Sequence, residues 1–79
     1  MNTFHIKLVS IEDVKNFITE ANKCPEDIDV VSGRYTIDAK SVLGIFSLDL
    51  SKTLEVVVHG TDKDAESFCE AVRSVVVEG

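Results

Sequence analysis

Basic side chains are scarce in this chain: eight Lys and Arg stand against fourteen Asp and Glu, a formal charge of −6. That balance excludes a nucleic-acid binder, which needs clustered cations to neutralise phosphates. No apolar run approaches the roughly 20 residues of a membrane span. No basic-then-apolar leader precedes a small-residue cleavage site, so the expected location is the cytoplasm. Only two cysteines occur, Cys24 and Cys69, and they fit neither CxxC nor zinc spacing. They read as free thiols in a reducing compartment. With four glycines and no glycine-rich phosphate loop, and no nucleophile–base pair at readable spacing, nothing points to stand-alone catalysis or to a cofactor. The single proline, Pro25, marks the end of a helix.

What is present is alternation of strand and helix signals within 79 residues, one domain spanning 1–79. A chain this short buries roughly 60–65% of its unfolded surface. Its margin of stability is about 5 kcal/mol, so caps and turns matter. From Thr3 to Val9 the apolar residues Phe4, Ile6 and Leu8 alternate with His5 and Lys7, a half-buried strand. Ser10 then caps a helix with Glu12 and Asp13 in its first turn and Val14, Phe17, Ile18 and Ala21 on one face. Ile28 and Val30 mark a second strand, and Ser32-Gly33 turns the chain into a third carrying Tyr35 and Ile37. A short helix starts at Ser41. Leu54, Val56 and Val58 face inward on a fourth strand, with Glu55, Val57 and His59 outward. Thr61 caps the last helix, whose apolar stripe reads Ala65, Phe68, Cys69, Val72 and Val76. The order β-α-β-β-α-β-α predicts an α+β fold: a two-layer, open-faced sandwich with one sheet face covered and the other polar.

The segment from Lys40 to Leu50 carries more apolar residues than one short helix can bury. Val42, Leu43 and Phe46 share a face, while Ile45, Leu48 and Leu50 supply the inward side. The first three are expected to form an exposed docking patch. Lys40-Ser41-Val42-Leu43-Gly44-Ile45-Phe46-Ser47-Leu48 also resembles the regulatory-serine motif of HPr, the small phosphocarrier of the bacterial sugar phosphotransferase system. Asn16 to Ala21 is similar to that family's first helix, and the likeness runs from about Asn16 to the C-terminus.

The resemblance implies a four-stranded antiparallel sheet with three helices on one face, and a monomer without catalytic activity of its own. It also implies Enzyme I and other phosphotransferase proteins, a transcriptional regulator and an ATP-dependent HPr kinase as partners. In that kinase reaction the residue matching Ser41 takes the phosphate, here between Asp38 and Asp49 and beside Lys40.

At the front of the chain the likeness breaks. The family's phosphate-carrying histidine falls on Ser10, its arginine on Glu12 and its proline on Asp13. Serine cannot form the labile phosphoramidate, and the two acids repel a phosphate dianion. The expected protein is a regulatory, protein-binding module that has lost the phosphohistidine role. The family includes a catabolite-repression paralogue that lacks the histidine and keeps the serine. The alternative is a phosphocarrier using His5 or His59, both placed on the open sheet face. There, with Glu55, they could also form a two-His-one-carboxylate metal site, but two solvated histidines are the simpler expectation.

Overall fold

Serine and threonine caps set both long helices of the computed structural model, which describes residues 2–78. Helix α1 spans Ile11–Lys23 behind Ser10, and α3 spans Asp62–Ala71 behind Thr61. Each cap hydroxyl accepts an N–H from the residue three positions on, and that residue's carboxylate accepts the cap's own N–H, a reciprocal capping box. Strand β1 (Thr3–Ile6) precedes α1, and between the two helices lie strands β2 (Asp27–Ser32), β3 (Tyr35–Asp38) and β4 (Leu54–His59) and the short helix α2 (Val42–Phe46). The β2–β3 hairpin closes through Gly33-Arg34 with Ser32 opposite Tyr35. Gly33 has φ of 58°, a left-handed conformation that other residues resist, at the first central position of the turn.

A fifth strand, β5, spans Val76–Val77, and the sheet is antiparallel throughout, in the order β3-β2-β4-β1-β5. It has five strands where four were expected. The fifth pairs with Ile6 and His5 along the otherwise open edge of β1. Accordingly, Val76 does not continue the last helix. After Ala71 the sequence is rich in β-branched valines, which lose rotamer freedom in a helix and suit a strand. The chain passes through a 3₁₀ turn, Arg73–Val75, before pairing. The first strand likewise ends at Ile6 rather than Val9, although Leu8 remains buried.

One sheet face carries the core. Phe4, Ile6, Ile28, Val30, Leu54, Val56 and Val58 meet Val14, Phe17, Ile18 and Ala21 of α1, Ile45 of α2, and Ala65 and Phe68 of α3. Phe68 sits between two rings, with centroids 6.0 Å from Phe4 and 5.6 Å from Phe17. Among the described residues no polar or charged side chain is fully buried. Neither cysteine is in a disulfide, and both pack at the core's edge. No described helix is long and apolar enough to cross a membrane.

Candidate docking surface and phosphorylation positions

Helix α2 is held down by one side and leaves the other bare. Ser41 starts it, its Oγ accepting the Gly44 N–H at 3.1 Å, and Ser47 ends it, its Oγ donating to the Gly44 carbonyl at 2.6 Å. Gly44 is required by close packing. A Cβ there would stand 2.4 Å from Ile37 Cγ2 of β3. That approach drives Ile45 fully into the core, with Leu48 and Leu50 packed against it. Val42, Leu43 and Phe46 point away from it and are exposed, Leu43 to 84%.

The N-terminus of α1 stands beside this helix. Val9, Ser10, Ile11 and Val14 line one wall of a groove of about 450 Å³, and Phe46, Leu50 and Ser51 line the other. Val9 and Ile11 are 80% and 67% exposed, so they extend the apolar surface of α2 across the groove. Lys7 fastens the two walls: its Nζ donates to the Leu50 carbonyl at 3.3 Å and also to the Ser51 carbonyl.

Reading the sequence did not pick out Val9 and Ile11 as part of this surface. Val9 was legible, being the outward partner in the alternation after Leu8. Ile11 was not, because it lies three residues before Val14 on the helix stripe and is exposed only because the first turn stands at the edge of the core.

Ser10 sits at the N-cap of α1. The amides an anion would use there are already occupied: Asp13 Oδ2 accepts the N–H groups of Val9 at 3.1 Å and Ser10 at 3.3 Å, while Ser10 Oγ accepts that of Asp13 at 3.1 Å. Glu12 adds a second carboxylate to the same turn. The sequence shows the Ser10 cap and the acids of the first turn, and the S-x-x-D spacing also encodes the reciprocal bond from Asp13.

Ser41 is half-buried at the base of α2. Asp38 Oδ1 accepts the Lys40 N–H at 2.9 Å, shaping the turn that leads into it. Lys40 itself, adjacent in sequence to Ser41, sends its ammonium to the Cys24 carbonyl at the end of α1, 2.9 Å away. Asp49 is drawn into its own loop, accepting from Ser51 N–H at 3.1 Å and Ser51 Oγ at 2.5 Å. Those bonds favour its charged form and hold its carboxyl below the usual carboxylate range, with Lys52 and Lys7 adding to the effect.

His5 and His59 lie on neighbouring strands, as expected, but do not meet. His5 is opposite Glu55, four residues along β4 from His59, which is about 13 Å of strand. His59 instead contacts Asp29 of β2, Nε2 to Oδ2 2.8 Å. Among the described residues no group of three His, Cys, Asp or Glu side chains is placed to hold a metal ion.

Comparison with known proteins places this architecture. The family model described as "PTS HPr component phosphorylation site" matches residues 13–78, a span that includes Ser41 and begins after Ser10. Among solved structures, HPr-C-His from Thermoanaerobacter tengcongensis superposes with a TM-score of 0.77 at 23% identity, covering 94% of this chain and 89% of that one. The phosphocarrier protein HPr from Bacillus anthracis gives 0.74 at 26% identity, covering 95% of both. Crh, the catabolite repression containing protein of Bacillus subtilis, described as an intertwined swapped dimer, gives 0.67 at 22%, covering 92% and 88%. No curated protein sequence matches significantly.

Proposed function

The chain belongs to the HPr family of the phosphotransferase system, and from that premise we propose that it is a docking and regulatory member that does not carry phosphate on histidine. One observation carries the reading. At the N-cap of α1, the place where the family's histidine holds its phosphate, stands Ser10, with the Asp13 carboxylate on the neighbouring amides. A phosphoryl group there would have to displace a bound carboxylate and approach Glu12, with no arginine in the turn to receive it.

What persists is the surface. Val42, Leu43 and Phe46 of α2, with Val9 and Ile11 across the groove, offer bare apolar area beside Ser10 and Ser41. Partners of the phosphotransferase type, or a transcriptional regulator, dock here. The module binds rather than catalyses, in keeping with a family of phosphocarriers that are generally not enzymes.

Ser41 is the switch. Phosphorylated by an HPr kinase, it would add a dianion at the start of α2, where the Gly44 amide points. A dianion beside Val42 and Leu43 converts an apolar docking face into one that selects an arginine-bearing partner. Lys40, engaged at Cys24, is near enough in sequence to be recruited.

Intact mass spectrometry after two incubations tests this. With phosphoenolpyruvate and Enzyme I the expected result is no acid-labile phosphate. With ATP and HPr kinase the expected result is one phosphate, lost in the Ser41→Ala variant. Acid-labile phosphate in the first incubation would overturn the reading and return attention to His5 and His59 as carriers. Phosphate that survives Ser41→Ala in the second would refute the switch.

A further inference from the structure

A second cleft, sharing no residue with the groove beside Ser10, opens between the β2–β3 hairpin and the loop after α2. Its volume is about 720 Å³, within the range of small-molecule sites. Ile37 faces α2, where its Cγ2 crowds Gly44, and Tyr35, two residues earlier on the same strand, points to the same side. Tyr35, Ile37 and Leu48 give the cleft an apolar wall, and Tyr35 is the chain's single tyrosine, left 63% exposed.

The rim is cationic in a protein that is otherwise acidic. Arg34, at the tip of the hairpin turn, and Lys52, in the loop opposite, both line the cleft. Four of the other six cations are engaged: Lys7 with the Leu50 carbonyl, Lys40 with that of Cys24, Lys23 with Glu20 and Arg73 with Glu70. Among the described residues neither Arg34 nor Lys52 makes a side-chain hydrogen bond or ion pair, though the charge of Lys52 acts on Asp49 and favours its ionised form. The one carboxylate in the lining, Asp49, spends an oxygen on two hydrogen bonds from Ser51 within its own loop. Two cations with unused donors therefore face a single acid, above an apolar wall with an exposed ring. Arginine presents a planar fork of donors that matches a carboxylate or phosphate, and a tyrosine face accepts a flat apolar body.

We propose that this cleft binds a small organic anion with a planar or apolar body, an aryl phosphate or aromatic carboxylate. Arg34 and Lys52 hold the anionic group, and Tyr35, Ile37 and Leu48 receive the body. None of Ser41, Val42, Leu43 and Phe46 lines this cleft.

The test is a titration of the full chain followed by amide ¹H–¹⁵N correlation spectra. Four probes are used: phenyl phosphate, benzoate, inorganic phosphate and phenol. For ligands of about ten heavy atoms the expected dissociation constant is about a millimolar. Phenyl phosphate or benzoate, or both, should saturably shift the amides of Gly33, Arg34, Tyr35 and Leu48 to Thr53. Whichever binds identifies the anion. The double variant R34Q/K52Q should weaken that binding about tenfold or more, and Tyr35→Ser should weaken it separately. All three side chains are on the surface, so the variants should keep the spectral dispersion of the native fold.

Absence of saturable shifts at those amides, or binding unchanged in R34Q/K52Q, overturns the proposal. Phenol binding as tightly as the anions would reduce the cleft to an apolar notch. Inorganic phosphate binding as tightly as phenyl phosphate would remove the role of the apolar wall. Either also defeats it.

Discussion

Gly44 is the residue on which the docking helix depends. Alanine would normally gain up to about 1 kcal/mol in a helix relative to glycine. Here its Cβ would fall 2.4 Å from Ile37 Cγ2, a methyl on a β-branched side chain that cannot swing away. Overpacking of that kind costs about 1–3 kcal/mol, so the crowding wins over the propensity. Gly44→Ala is expected to destabilise the protein by about 1 kcal/mol or more in chemical denaturation, with the amides of α2 and β3 shifting. A gain in stability would mean that Gly44 is there for flexibility and not for close approach. Ser41 shows the opposite kind of dependence. Its hydroxyl has a complete structural role as a cap, so its presence alone does not argue for modification; only the kinase experiment separates the two.

At the scale of elements, α1 and α2 meet at their ends. The capping box of α1 uses Asp13 to satisfy the Val9 and Ser10 amides, and so seals the position where an anion would otherwise sit. Asp13→Ala removes that carboxylate. The expected cost is about 1 kcal/mol of stability, together with faster hydrogen exchange at Val9 and Ser10 in the variant. Unchanged exchange at those two amides would show that the carboxylate is not their partner in solution. Lys7 meanwhile ties the chain ahead of α1 to the loop after α2, so the two halves of the exposed surface are held by one side chain. The shared groove belongs to neither helix alone.

At the scale of the whole molecule, one sheet face and three helices enclose a core without a fully buried polar side chain among the described residues. Phe68 links the sheet, through Phe4, to α1, through Phe17. Truncating such a side chain costs about 3–5 kcal/mol, close to the whole margin of a domain this small. Phe68→Ala should therefore be largely unfolded or melt far below the native protein, as read by thermal denaturation followed by circular dichroism. A shift of only a few degrees would place the core's centre elsewhere. The opposite sheet face carries His5, Glu55 and the His59–Asp29 contact, on the far side from the docking surface. A partner seated on α2 would not touch either histidine.

Much of this was legible in the residues themselves. Alternation with period two gave the faces of β1 and β4, and the Ser10 and Thr61 caps gave the starts of α1 and α3. The excess of apolar residues from Val42 to Leu50 marked a two-sided helix, because local sequence directly encodes period, caps and surplus. The fifth strand was hidden. Val76 fits the stripe of the last helix as well as a strand, and only the free edge of β1 decides between them. The separation of His5 from His59 follows from register, which pairs residues 50 positions apart and has no local signature. Likewise, nothing in the neighbours of Gly44, Arg34 or Lys52 told what stands across from each. Family resemblance, four of the strands, the three α-helices and their inward faces can be read from the residues, since these depend on near neighbours along the chain. Tertiary structure alone decided which outward residues share a surface, because that depends on packing between segments distant in sequence.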